Sequence, residues 1–171
     1  MEGPVECRGR RVLFRSEVQT LPNGYTMRVD KCIFPDAVAV LPVVEGRTAV
    51  LIRQYRPVLG RYILEAPAGV IDEGETPEQA AARELEEETG LTGGRLVRVG
   101  QAHTSPGYST EKLHLFIAVD PRPGRPRPEK HEIIETVVFP LTDLVEMALR
   151  GDLEDLKTVA LVLAAARILN L

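Results

Sequence analysis

Two runs, Ala37-Val38-Ala39-Val40-Leu41-Pro42-Val43-Val44 and Thr48-Ala49-Val50-Leu51-Ile52-Arg53, are almost wholly apolar and are separated only by Glu45-Gly46-Arg47. A strand with one wet face alternates polar and apolar side chains, whereas an unbroken apolar run has to be covered more completely. The pair predicts a hairpin of strands more buried than their neighbours, and the rest of the chain must supply the cover.

Upstream, Val12-Leu13-Phe14 and Tyr25-Thr26-Met27-Arg28-Val29 flank Leu21-Pro22-Asn23-Gly24, whose Asn-Gly step is a tight-turn signal, so an antiparallel hairpin extends the N-terminus. Tyr62-Ile63-Leu64-Glu65 predicts a short strand, and Pro67-Ala68-Gly69 opens a glycine-bearing loop that runs to Thr76-Pro77. Threonine as N-cap and proline at the first helical position start a helix there, the alanines at 80–82 favour it, and Gly90 ends it. Strands at 96–99 and 113–119 are joined by a loop over 103–111. The proline-rich stretch 120–131 predicts irregular loop, a strand resumes at 136–139, Thr142 caps a helix through Arg150, and a last helix covers 155–169. This order implies one α+β domain over residues 1–171, a mixed sheet sandwiched between helices, without internal repeats.

A chain of 171 residues suits one core, and a net charge of −4 with an isoelectric point near 5.5 leaves no basic footprint for nucleic acid. No apolar stretch reaches membrane-span length, and Cys7 and Cys32 form no framework, which together imply a cytoplasmic protein.

Chemistry concentrates on the central helix. Glu84, Glu87 and Glu88 are spaced so that all three project within roughly 100° of one another. Like charges at these spacings cost about 0.2–0.5 kcal/mol per pair, and the last turn of a helix prefers cations. Arg83 offers a partner to Glu87 at i+4, in the less favourable orientation. Two readings follow: a solvated acidic face, as most charge runs are, or a divalent-cation site that removes both penalties. Oxygen donors on a rigid element suit Mg²⁺ or Mn²⁺ rather than Zn²⁺.

Gly69, five residues, Glu75, seven residues, then Arg83-Glu84-Leu85-Glu86-Glu87-Glu88-Thr89-Gly90-Leu91 resembles the signature box of the Nudix hydrolase family, here 69–91. The resemblance implies metal ligation by Glu84, Glu87, Glu88 and the carbonyl of Ala68, two or three Mg²⁺ ions with Mn²⁺ as a substitute, and hydrolysis of a diphosphate bond. Arg83 and Glu75 are expected to brace the loop against the helix.

Leu21-Pro22-Asn23-Gly24, Arg53-Gln54-Tyr55-Arg56, Glu65-Ala66-Pro67-Ala68-Gly69 and Ser105-Pro106-Gly107 to Glu111 are similar to the ADP-ribose pyrophosphatase branch of the family, over about Val12 to Leu163. That similarity implies a small nucleoside diphosphate substrate, ADP-ribose cleaved to AMP and ribose 5-phosphate, and a homodimer whose N-terminal strands, within 1–35, are exchanged. It assigns substrate contacts to Arg53, Arg56, Glu65, Gly107, Tyr108 and Glu111, with Glu65 either ligating a further metal or orienting an arginine. The branch carries its catalytic base as a glutamate in the later loop, where this chain reads Glu129-Lys130-His131-Glu132, so Glu129 and Glu132 are the candidates and Lys130 is a departure.

The box does not separate ADP-ribose from a nucleotide sugar, a dinucleotide or flavin adenine dinucleotide. A ligand-sensing module without catalysis is the rival from another class; the intact glutamates argue against it. No nucleophile elbow is present for a Ser-His-Asp hydrolase.

Overall fold

The computed structural model describes residues 3–45, 47–127 and 133–171. The chain begins with a three-stranded antiparallel sheet, β1 (Val5–Arg8), β2 (Leu13–Thr20) and β3 (Thr26–Ile33), in the order β1-β2-β3. Its β2–β3 hairpin turns at Asn23-Gly24, where Gly24 takes φ +82°, a left-handed conformation that glycine adopts without a side-chain clash.

The main sheet is built on β4 (Ala37–Val44) and β5 (Thr48–Arg56), the two apolar runs. β6 (Arg61–Glu65) pairs with β5, and β7 (Ala68–Val70) pairs antiparallel with β4. The glycine-bearing loop predicted from Pro67 thus contains a short strand, and this lays Gly69 opposite Val38. Helix α1 (Pro77–Thr89) follows, with Thr76 and Gln79 forming a reciprocal capping box and Gly90 closing the helix at φ +69°. After β8 (Leu91–Thr92) come β9 (Arg95–His103) and β10 (Lys112–Val119), then β11 (Arg122–Pro123), β12 (Ile134–Pro140), α2 (Leu141–Arg150) and α3 (Leu156–Ile168). Strand order in the main sheet is β12-β5-β4-β10-β9, parallel between β4 and β10 and otherwise antiparallel.

Two local expectations change. β11 pairs with β8, so the proline-rich stretch is not wholly irregular: Pro123 lacks an N–H, and a two-stranded edge tolerates that. The helix predicted to be capped by Thr142 is capped two residues earlier, at Pro140, with no side-chain bond there.

The layers follow from the alternation hidden inside the apolar strands. Ala39, Leu41, Val43, Leu51 and Ile117 face one way and form a core with Leu141 and Leu144 of α2 and Leu161, Val162 and Ala165 of α3. Val38, Val40, Phe116 and Ala118 face the other way, onto Ala80, Ala81 and Leu85 of α1. The sheet is therefore covered on both faces, which is why β4 carries no polar side chain. No described helix is long and apolar enough to cross a membrane.

Candidate active site

A cleft of about 680 Å³ opens beside the box, lined by Arg56, Ala68, Gly69, Glu111, Asp155 and Lys157 among others. An adjoining lobe of about 190 Å³ shares Arg11, Arg56 and 68–70 with it and adds Gln54, Arg83, Glu84 and Glu87.

The acidic wall is set by α1. Its register turns Glu84 and Glu88 inward, where they are 9% and 4% exposed, against the backbone of β7. Ala68 N donates to Glu88 Oε2 at 2.9 Å. Gly69 leaves room for Glu84: a Cβ at position 69 would lie 1.9 Å from Glu84 Oε1. The glycine thus lets the carboxylate close on the strand, and a side chain there would push it away.

Arg83 does more than the sequence suggests. Besides Glu87 at 3.2 Å, its Nη1 reaches Glu84 at 2.5 Å, so the box glutamates are not left to repel one another unrelieved. The rest of its guanidinium forks onto Glu75 at 3.0 and 2.9 Å and donates to Val70 O at 2.9 Å, which is the expected brace. Glu75 holds Arg83 above its ordinary pKa, and Arg83 in turn holds Glu75 below the usual carboxylate range.

Among the described residues no three carboxylates, histidines or cysteines are grouped so as to hold a metal ion. The donor chemistry nonetheless fits a hard divalent cation. The nearly buried carboxylates of Glu84 and Glu88 lie against Gly69 and Ala68, and Gln54 Oε1, buried in a residue of the same lobe as Glu84, has no hydrogen-bond partner among the described residues.

The opposite wall is cationic. Arg56 forks onto Glu65, Nε to Oε1 at 2.5 Å and Nη2 to Oε2 at 2.7 Å. Glu65 is 1% exposed and also accepts from Lys157 Nζ. Burial pushes the Glu65 carboxyl up, but the bonds from Arg56 and the charge of Lys157 outweigh it, and the net shift is downward. Arg56 is raised in return by Glu65. Glu65 therefore holds the Arg56 guanidinium in a fixed fork.

Glu111 lines the cleft and accepts from Thr104 Oγ1 at 2.7 Å. Tyr108 is exposed, and neither it nor Gly107 lines the cleft; its carbonyl accepts from Cys32 N at 2.7 Å, fastening the loop to β3. Arg53 is not brought to the cleft. Three residues before Arg56, and so on the opposite face of the pleated strand, Arg53 lies over the Tyr62 ring at 4.3 Å and pairs with Glu135 at 3.3 Å. Glu129 and Glu132 lie outside the described residues. Sequence reasoning misses Arg11, Gln54, Asp155 and Lys157; the local signals there, an aspartate cap and a cation in the first turn of a helix, mark a helix start rather than a site.

Residues 33–162 match the NUDIX domain, and the chain belongs to the Nudix hydrolase family. It is 36% identical over 140 residues to an ADP-ribose pyrophosphatase of Bacillus subtilis, covering 81% of this chain and 76% of that one. A methanol dehydrogenase activator of Bacillus methanolicus is 32% identical over 153 residues, covering 88% and 83%. A solved ADP compounds hydrolase superposes with a TM-score of 0.84 at 24% identity, over 99% of this chain and 96% of the other, and shares the fold.

Proposed function

We propose that the chain hydrolyses the diphosphate bond of ADP-ribose, releasing AMP and ribose 5-phosphate. The observation that carries this reading is the pairing of opposite charges in one lobe of the cleft: the box carboxylates Glu84 and Glu87 line it together with Arg56, which Glu65 holds in a planar fork suited to phosphate oxygens. Relatives named for ADP-ribose support the choice of substrate.

Glu84, Glu87, Glu88 and the Ala68 carbonyl would hold the cation, Mg²⁺ in the first instance with Mn²⁺ as substitute, in two or three sites. When bound, it would neutralise the diphosphate and lower the pKa of a water molecule. Arg56 would bind and orient the diphosphate, with Glu111 at the rim. Glu129 or Glu132 would take the proton from the attacking water.

A homodimer with exchanged N-terminal strands fits the exposure of Val5, Tyr25 and Met27 on the first sheet. Cys7 and Cys32 are unpaired, in keeping with a cytoplasmic setting.

The test is AMP release from ADP-ribose compared with a nucleotide sugar, a dinucleotide and flavin adenine dinucleotide, under Mg²⁺ and under Mn²⁺. Preferred turnover of any of the other three sinks the substrate assignment, and activity that survives excess chelator sinks the cation. Sedimentation as a monomer would rule out the dimer.

A further inference from the structure

The first turn of α3 enters the site from the face opposite the box. Asp155 caps it, accepting from Thr158 N at 3.1 Å, and the fully buried Thr158 accepts from Ala66 N at 2.6 Å. Between them Lys157 pairs with Asp155 Oδ1 at 2.9 Å and with Glu65. Its side chain is only 12% exposed, yet it lines the cleft.

An ammonium group so placed is unfavourable twice over. It sits at the positive end of a helix, and most of its hydration is gone. Buried ion pairs seldom repay that desolvation as stability, so a role in fold stability alone is a weak account of it. What Lys157 changes is the state of Arg56. The Arg56 fork spends Nε and Nη2 on Glu65, leaving Nη1 outside the pair. With Lys157 present, Glu65 divides its charge between two cations, and the guanidinium retains attraction for an anion in the cleft. With Lys157 removed, Glu65 would turn its whole charge on Arg56.

We infer that Lys157 is a positioning residue, acting through Glu65 to hold Arg56 oriented and electrostatically available to the diphosphate. This rests on the proposed function insofar as a diphosphate is the ligand. The experiment is a double-mutant cycle between Lys157→Met and Arg56→Met, read as the dissociation constant of inorganic pyrophosphate in the presence of Mg²⁺, with melting curves for every variant. Lys157→Met weakens binding about tenfold in the otherwise native chain and less than about twofold in the Arg56→Met background. Lys157→Arg, which keeps the charge, stays within about twofold of the native chain. In steady-state hydrolysis the same loss appears in KM rather than kcat. A full tenfold effect in the Arg56→Met background would mean that Lys157 touches the ligand itself, and no effect in the native background would reduce it to a structural pair; either result overturns the inference, as does a native chain that binds no pyrophosphate. Binding is read without turnover, so failure to hydrolyse ADP-ribose would remove the substrate assignment and leave the cycle readable.

Discussion

Helices α1 and α3 approach one cleft from opposite faces of the sheet, and each brings to it the charge its own dipole disfavours. α1 ends in carboxylates, with no basic residue in its last turn. α3 carries Lys157 in its first turn, behind the Asp155 cap. Their solutions differ: Glu84 and Glu87 of α1 share the guanidinium of Arg83 with Glu75 of the preceding loop, whereas Lys157 is closed into a part-buried network with Glu65, Asp155 and Arg56. Under the proposed function, a divalent cation would take over part of the first arrangement. The second is fixed, and suits a wall that must keep its shape while the ligand comes and goes.

The contrast breaks most readily on the acidic side. Glu84→Gln or Glu88→Gln is expected to lower kcat for AMP release on the order of 10³-fold while leaving the melting temperature close to native, and a variant that keeps native turnover would end the case for that wall. Gly69→Ala displaces the Glu84 carboxylate, since the new methyl would fall 1.9 Å from its oxygen. An ångström of misplacement corresponds to a loss of roughly 10²-fold, measured as kcat at saturating metal. At Thr158, behind the lysine, the effect is on stability. Thr158→Val leaves the buried Ala66 N–H without its acceptor, and urea unfolding should show a loss of about 1–3 kcal/mol.

The acid limb of stability sharpens the comparison further. Because Glu65 is depressed in the folded chain, its contribution is fully present above the usual glutamate range and is lost as pH falls through the folded value. Urea unfolding followed from about pH 7 to about pH 3 should therefore be flatter for Glu65→Gln than for the native chain. The smallest change is expected at Arg53→Ala, outside the cleft: native KM, and a stability shift within about 0.5 kcal/mol.

Much of this was legible in the chain because the controlling physics is local. The cap at Thr76, the stop at Gly90 and the face shared by Glu84 and Glu88 depend on residues a turn apart. Gly69 was visible as a glycine, but its reason, a carboxylate arriving from a helix fifteen positions downstream, needed the β4–β7 pairing. Arg53 and Arg56 read alike in sequence, and only the pleat separates the one that enters the cleft from the one that stacks on Tyr62. Lys157 and Asp155 lay hidden in an alanine–leucine helix whose apolar face announces packing and nothing else. Their partners come from β5 and β6, so no local pattern could show them.

The parallel pairing of β4 with β10 has a kinetic consequence. Ala37 lies beside Leu113, and the segment that this contact closes into a loop contains β5, β6, β7 and α1, hence nearly every side chain of both walls. Contacts so distant along the chain form late and slowly during folding. Before they form, a nascent chain has neither a cation-binding surface nor a phosphate-binding one, so competence should arrive in one step with the closing of the core.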